Sequence, residues 1–338
     1  MVGIASSFSL SLLWELGLII VAAAVFNFIA KKLKQPTLLA YIIAGIFIGP
    51  YFLNFLANTF SIDLTILRVA NIQDVALLSK LGVAFLLFSV GIESDFLKLK
   101  SFGKLAVIGG TVQVALTALF TYILAYYTGI LAFNEALYLA VILAFSSTMI
   151  VVKLLSDSFT IDTLHGRIML GFLLVQDVLV ILLMPLLSNL KLLLELQTFT
   201  NFIISGAVLM ALALIASKFI YPRIFSFSAK GAEMLFLGSL SICFVFMFLA
   251  ESLGIPMAIG AFIAGLSLSV LPYSFEIYDE IKGVRDFFVT IFFVTLGMQL
   301  NFFQLSNSLP LLLLSFLVVF IIKPAIFYLL CMLSLIHI

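Results

Sequence analysis

The sequence places one carboxylate in the middle of a long apolar run. Asp177, preceded by Gln176, lies in a segment that is otherwise aliphatic from Leu173 to Leu182. Inside a membrane such a carboxylate costs about 3 kcal/mol on insertion scales, so it marks a functional site by default. An aspartate can carry a proton or a cation, and a glutamine offers a cation its neutral carbonyl oxygen. We predict that Asp177 and Gln176 bind a monovalent cation and that Asp177 alternatively binds a proton. The alternative is a carboxylate that a neighbouring helix neutralises for packing.

Three consecutive hydroxyl side chains lie midway along another apolar run, at Ser146, Ser147 and Thr148. Hydroxyl groups offer the backbone other hydrogen bonds and so weaken a helix. An unwound stretch there would expose carbonyl groups and helix ends to an ion in the membrane. The alternative is that these small residues let two helices pack closely. Because the run that contains Asp177 follows directly, we expect a broken helix whose hydroxyl cluster contributes to the ion site.

A second charge, on Lys323, falls within the last apolar run and is followed by Pro324. A lysine near a helix end can extend its ammonium group to the membrane surface. Its depth and the proline favour instead a buried cation that compensates carboxylates or the negative C-terminal end of a helix. We therefore predict a charge-compensating role for Lys323.

The composition is that of a membrane protein. Of the 338 residues, 64% are hydrophobic and 10% are charged, and the mean hydropathy is +1.32. Soluble domains carry about 25% charged residues, so water is not the main solvent of this surface. The apolar runs are about 20 residues long, as helices that span a bilayer are, and they lack the alternation of membrane β-strands. We predict an all-α polytopic membrane protein surrounded by lipid, without a nucleic-acid partner.

The apolar runs predict eleven helices and an orientation. The helices cover residues 8–30, 37–56, 75–93, 103–127, 134–154, 167–189, 199–219, 232–251, 256–272, 286–303 and 309–332. Connections after odd-numbered helices hold thirteen lysines and arginines, and those after even-numbered helices hold three. Because basic residues stay on the cytoplasmic side, we expect the N-terminus outside.

Two pairs of segments indicate an internal repeat. Pro36–Gly45 and Pro256–Gly265 share Pro, Ile, Ala and Gly at equal offsets, and Gly91–Phe96 resembles Gly297–Phe302. The first member of each pair lies on a helix that runs opposite to its counterpart, as in transporters built from inverted repeats. The alternative is that proline at helix starts and Ala-Gly pairs are common in membrane helices.

The repeat predicts how the chain is organised. Residues 1–189 form the first copy, 190–231 hold a linker helix, and 232–338 form an incomplete second copy. Counterparts of the fifth and sixth helices are missing from the second copy. We therefore expect the chain to be truncated at its C-terminus.

A resemblance to a known family rests on five short motifs. They are Gly82–Gly91, Ser146–Thr148, Gly166-Arg167, Gln176-Asp177 and Phe292–Met298. Together they resemble the Kef-type branch of the second monovalent cation:proton antiporter family, over nearly the whole chain. The resemblance implies a sodium/proton-antiporter-like fold of thirteen helices, of which about eleven are present here, usually in a homodimer.

The same resemblance implies roles for individual residues. Asp177 matches the ion- and proton-binding aspartate of the family, and Gln176 stands where sodium-selective relatives have a second acid or Asn. Ser146, Ser147 and Thr148 match the first broken helix, and Lys323 matches a lysine of the helix before the second. A cytosolic nucleotide-binding regulatory domain or subunit is an expected partner that this chain does not contain. The segment 273–285, described as a loop, lacks the acidic histidine-containing motif of glutathione-gated members.

These observations predict a secondary transporter of the plasma (inner) membrane rather than an enzyme. By alternating access it would exchange a monovalent cation, K⁺ in preference to Na⁺, for H⁺, with no cofactor besides the transported ions. A sodium-coupled symporter on the same fold is one alternative, and an ion-conducting channel or membrane subunit is another. An intramembrane enzyme is least favoured, because there is no second membrane aspartate beside Asp177 and no His-Glu-x-x-His motif.

Overall fold

The computed structural model is helical in all the regular elements that it describes. It describes residues 2–61, 72–93, 103–147, 151, 155, 163–188, 196–228, 231–301 and 308–336. Among these residues, six helices are long and apolar enough to cross a membrane, and a bent pair of shorter helices makes a seventh. The predicted all-α membrane class is confirmed, whereas the predicted number of eleven spans is not.

The helices are numbered here in chain order. The first seven are α1 (Val2–Lys32), α2 (Thr37–Ile48), α3 (Pro50–Phe60), α4 (Ile72–Glu93), α5 (Gly103–Tyr127), α6 (Phe133–Ala144) and α7 (Leu164–Ser188). They are followed by α8 (Leu196–Ile215), α9 (Tyr221–Ser228), α10 (Ala232–Ser252), α11 (Met257–Ser269), α12 (Ser274–Met298), α13 (Leu309–Leu317) and α14 (Lys323–Ile336).

Two π-helical turns join helices that would otherwise be interrupted by proline. Ala216–Ile220 joins α8 to α9 just before Pro222, and Val318–Ile322 joins α13 to α14 just before Pro324. Proline inside a helix clashes with the carbonyl group four residues earlier. In both cases that carbonyl lies in the π turn, whose wider hydrogen-bonding pattern absorbs the distortion. Lys323 thereby follows directly on a local irregularity of its helix.

The helix predicted over residues 37–56 is a bent pair. The axes of α2 and α3 differ by 45°, and Gly49 between them has an extended backbone with φ −73° and ψ 154°. Pro50 is the first residue of α3. A proline pushes the residue before it out of the helical region, so the Gly-Pro sequence ends α2 at this point.

The description of residues 273–285 as a loop is wrong. All of this segment except Tyr273 lies at the start of α12, which begins at Ser274 instead of the predicted residue 286. The predicted bound follows the apolar run, whereas this segment is rich in charge. Charged residues do not break a helix, and Asp279 and Lys282, three residues apart, lie on one face where they favour it.

The chain divides into two compact units. One comprises Met1–Ser94 and Phe199–Phe303, and the other Asp95–Thr198 and Gln304–Ile338. Each unit contains residues from both halves of the sequence. The predicted segments 1–189, 190–231 and 232–338 concern a sequence repeat, and their boundaries stay a prediction.

In the first unit, α2 crosses α12 at a pair of glycines. A Cβ atom built on Gly45 would overlap the carbonyl oxygen of Val294, and one on Gly297 would overlap that of Ile42. Neither residue can carry a side chain while the two backbones stay this close. The contact is continued by the buried Ala44, Ile291 and Met298.

An equivalent crossing joins α4 to α11 in the same unit. A Cβ atom on Gly265 would overlap the carbonyl oxygen of Phe88, and one on Gly91 would overlap that of Phe262. In the predicted repeat Gly45 corresponds to Gly265 and Gly297 to Gly91. The residues whose carbonyl oxygens they approach correspond in the same way, Val294 to Phe88 and Ile42 to Phe262. The contact of α2 with α12 is therefore repeated by their counterparts α11 and α4, as a two-fold relation between repeats requires.

The second unit is built around α5. Helices α6 and α7 both pack against it, and so do the segments from Leu309 to Ile336 that include Lys323. This arrangement brings α5, α6, α7 and α14, which are distant in sequence, into a single compact body. All predicted site residues that the structure describes belong to this unit.

Candidate ion-binding site

Helix α6 stops in the middle of an apolar segment. It ends at Ala144, and the following residues Phe145, Ser146 and Ser147 are not helical. The backbone of Phe145 is extended, with φ −87° and ψ 157°. The segment predicted as one helix over 134–154 is thus broken where the hydroxyl cluster begins. A helix that ends here leaves carbonyl groups that need partners from elsewhere.

Lys323 supplies those partners. Its Nζ atom donates hydrogen bonds to the carbonyl oxygen of Leu143, at 3.0 Å, and to that of Phe145. The lysine is 8% exposed. The C-terminus of a helix carries a partial negative charge, so the ammonium group neutralises the end of α6. The hydrogen bonds tie α14 to α6.

Gln176 holds the break from the side of α7. Its Oε1 atom accepts a hydrogen bond of 3.1 Å from the backbone N–H of Ser146, and its side chain is 1% exposed. The Nε2 atom donates to Oε1 of Gln113 on α5. Gln176 is therefore an amide bridge that links three helices at the break, with its oxygen towards α6.

Gln113 is a site residue that the sequence analysis missed. It is fully buried, and its Nε2 atom donates a hydrogen bond of 3.0 Å to Oγ1 of Thr117. Gln113, Thr117 and Thr121 recur every four residues, so they form a polar stripe on one face of an otherwise apolar helix. That stripe is the signal from which the residue could have been found.

Two glycines explain how Gln113 reaches Gln176. A Cβ atom on Gly109 would overlap the ring of Phe172, and one on Gly110 would lie 2.9 Å from Cβ of Val175. Helices α5 and α7 can approach this closely only because both positions lack a side chain. Gln113 lies one turn after Gly109, and Gln176 one turn after Phe172, so the two amides meet directly beyond the contact.

Of the remaining predicted residues, the structure describes Asp177 and Ser147. Asp177 is on α7 directly after Gln176 and is partly exposed. Ser147 is exposed, and its carbonyl oxygen accepts a hydrogen bond of 3.3 Å from the N–H of Val151. Thr148 falls outside the described residues. The structure thus joins Gln176 to Ser146 and Lys323 to Phe145, and sets Asp177 next to Gln176 along the helix.

The groups at the break could hold a small cation. Asp177 offers a carboxylate, Gln176 an amide oxygen, and the chain at Ser146 and Ser147 backbone and hydroxyl oxygens, which are ligands that hard cations prefer. Lys323 brings its ammonium group to the carbonyl oxygens at the end of α6. Among the described residues, a carboxylate, neutral oxygens and an ammonium group thus belong to the same compact unit.

Comparison with known proteins identifies the family. Residues 17–338 match the family model described as "Sodium/hydrogen exchanger, transmembrane". The chain belongs to the sodium/hydrogen exchanger family. It is 30% identical to K(+) efflux antiporter 5 of Arabidopsis thaliana, over 94% of this chain and 55% of that protein. It is 27% identical to the K(+)/H(+) antiporter subunit KhtU of Bacillus subtilis, over 88% of this chain and 72% of that protein.

A solved structure supports the fold of this exchanger-family chain. The sodium proton antiporter MjNhaP1 of Methanocaldococcus jannaschii superposes with a TM-score of 0.69 at 20% identity, over 96% of this chain and 79% of that one. The predicted antiporter-like fold and the resemblance to Kef-type membrane domains are confirmed. The chain spans about half the length of the first plant relatives that it matches.

Proposed function

We propose that the protein exchanges a monovalent cation for protons across a membrane by alternating access, with Asp177 as the shared site. In one state Asp177 is protonated, and in the other it binds a cation together with Gln176 and oxygens of Ser146, Ser147 and Thr148. The simplest stoichiometry is one cation for one proton, because Gln176 is neutral and brings no second acid. The transported ions are cargo, and no cofactor or enzymatic activity is part of the proposal.

One observation carries this proposal. The break after Ala144 lies in the same compact unit as Gln176 and Asp177, and a hydrogen bond from Ser146 to Gln176 holds the two elements together. Unwound backbone beside a membrane carboxylate is the arrangement by which discontinuous helices coordinate ions. Membership of the exchanger family and relatives named as antiporters support the same activity.

We propose K⁺ as the preferred cation. Several relatives are named as K(+) antiporters, and Gln176 provides an amide oxygen where a second carboxylate would favour a smaller, more strongly hydrated ion. Other relatives of similar identity are named as Na(+)/H(+) antiporters, among them GerT of Bacillus cereus at 28% identity. Selectivity therefore has to be measured on this protein.

Further proposals concern the surroundings of the site. We place the protein in the plasma (inner) membrane with its N-terminus outside, in accordance with the distribution of basic residues. We also propose a homodimer and regulation by a cytosolic nucleotide-binding domain or subunit. Cross-linking in the membrane tests the homodimer, and accessibility of an N-terminal tag from outside tests the orientation.

The decisive experiment compares Asp177→Asn with the wild type in proteoliposomes. A pH-sensitive dye reports the collapse of an imposed proton gradient when K⁺, Na⁺ or Li⁺ is added. We expect cation-dependent proton flux in the wild type, with K⁺ effective at the lowest concentration, and none in Asp177→Asn. The substitution removes the titrating group and keeps the size of the side chain.

Glu135→Gln is the matched control. Glu135 is an exposed acid of the same unit that accepts a hydrogen bond from the N–H of Ala132 at the start of α6, and an amide oxygen can accept the same bond. This variant should transport like the wild type. Undiminished exchange in Asp177→Asn would refute the assignment, and a conductance that is independent of protons would indicate a channel.

A further inference from the structure

A directional chain of hydrogen bonds ends at the amide of Gln176. The N–H of Ser146 donates to Gln176, Gln176 donates to Gln113, and Gln113 donates to Oγ1 of Thr117. Thr117 in turn donates its hydroxyl proton to the backbone oxygen of Gln113, at 2.8 Å. The side chains of Gln176, Gln113 and Thr117 are all buried, with exposures of 0–1%.

The direction of this chain is fixed at both ends. A backbone N–H can only donate, so Ser146 requires an acceptor, and a backbone carbonyl can only accept, so it takes the proton of Thr117. With that proton committed, Oγ1 of Thr117 is available only as an acceptor, and it faces the NH₂ group of Gln113. The oxygen of Gln113 must then face Gln176, and the oxygen of Gln176 must face the break.

The reverse orientation of Gln176 is unfavourable. Rotating its amide by half a turn would set its NH₂ group against the N–H of Ser146 and its oxygen against the oxygen of Gln113. A buried donor or acceptor that loses its partner costs its desolvation penalty. Together with the N–H of Ser146, Gln113 and Thr117 thus determine which atom of Gln176 points to α6.

We propose that Gln113 and Thr117 are positioning residues that set the cation affinity of the site by orienting the carbonyl oxygen of Gln176. This inference rests on the proposed function and deepens it. Oε1 of Gln176 uses one lone pair for the N–H of Ser146, and the second is a ligand for a dehydrated cation. Without Thr117 the Gln113 amide can rotate, and only the N–H of Ser146 then holds the orientation of Gln176. The Gln176 amide reverses for part of the time and presents its NH₂ group to the cation.

Thr117→Val tests the proposal, and α5 supplies a burial-matched control. Thr121 is also fully buried, and its hydroxyl donates to a carbonyl four residues earlier, at 2.7 Å, as that of Thr117 does. Thr121→Val therefore removes a buried hydroxyl group and its bond to a backbone carbonyl, as Thr117→Val does, but leaves the bond between Gln113 and Thr117 in place. Thr117→Ser keeps the hydroxyl and serves as the conservative variant.

We expect Thr117→Val to raise the apparent KM for the cation about fivefold, the change that one hydrogen bond of ordinary net strength produces. The maximal rate should stay within about twofold of the wild type, since the carboxylate and the break are retained. Thr121→Val and Thr117→Ser should have wild-type KM values. If Thr117→Val is not stable enough to purify, Gln113→Met removes the amide that Thr117 orients. It should likewise raise KM and leave the maximal rate within about twofold of the wild type.

A double-substitution test separates positioning from general damage. In a Gln176→Met background, Thr117→Val should cause no further rise in KM, because its effect passes through the missing amide. A rise of similar size in both backgrounds would overturn the proposal. So would a KM in Thr117→Val equal to that of Thr121→Val, or a loss of maximal rate alone. Loss of exchange in the wild type, or its persistence in Asp177→Asn, would instead refute the proposed function.

Discussion

Lys323→Met removes the ammonium group that bonds to the carbonyl groups at the end of α6, and it keeps an unbranched side chain of similar length. In the wild type this group donates to the carbonyl oxygens of Leu143 and Phe145. Methionine offers no donor, so the end of α6 loses both partners and the nearby positive charge. The surrounding apolar contacts, such as that of the Phe172 ring with Phe327 on α14, are retained.

The magnitude follows from the two lost bonds. Interhelical hydrogen bonds in membrane proteins average about 0.6 kcal/mol each, which sets a lower limit near 1 kcal/mol. Bonds to charged groups contribute about 1.5–3 kcal/mol each, which sets an upper limit near 6 kcal/mol. Relief of the buried charge offsets part of the loss, so we expect a destabilisation of about 2–3 kcal/mol. At roughly 2–4 °C per kcal/mol, the melting temperature should fall by about 5–10 °C.

Thermal melting in detergent, followed by size-exclusion chromatography, measures this change. The control is Lys218→Met, because Lys218 lies in the other π-helical turn, is exposed and has its Nζ atom 5.4 Å from the centre of the Phe219 ring. Exposed substitutions of this kind change stability by about 0.5 kcal/mol at most. Equal melting temperatures for Lys323→Met and Lys218→Met would refute the view that Lys323 stabilises the break.

Two further predictions concern the crossing of α4 and α11 and the ion stoichiometry. Gly265→Ala should destabilise the protein by at least about 1–3 kcal/mol, because its new methyl group overlaps the backbone of Phe88, which cannot yield as a side chain would. Gly206→Ala has open space around it and should melt at or above the wild-type temperature, so a reversed order would contradict the contact. Exchange should be electroneutral, and a rate that changes when an ionophore abolishes the membrane potential would refute the one-for-one stoichiometry.

Much of the fold could be predicted because the membrane constrains the chain strongly. Apolar length alone locates most spans, and the matching glycines of the repeat lie at the crossings that bury them. The predicted helix bounds are wrong where charged residues belong to a helix, as they do from Ser274 onwards. Apolar length does not predict the bend at Gly49, because the apolar run continues through it, although a Gly-Pro sequence is a local signal for a break.

The site was only partly predictable for a geometric reason. The hydroxyl cluster predicts a break because hydroxyl groups compete for backbone hydrogen bonds, and this signal depends only on the local sequence at residues 146–148. Gln113 lies 63 residues before Gln176, and nothing in their spacing relates them. Their contact depends on Gly109 and Gly110, which let two helices approach, and that is a property of packing.

The amide at position 176 suits this site because it both donates and accepts. A carboxylate there could accept from the N–H of Ser146 but could not donate to Gln113, whose amide would then have to turn and draw the proton of Thr117 away from the backbone. It would also add a second negative charge directly before Asp177, whereas the ammonium group of Lys323 already bonds to the carbonyl oxygens at the end of α6. In the proposed mechanism a neutral bridging amide adds no second acid beside Asp177, so the hydrogen-bond pattern and the proposed stoichiometry have the same origin.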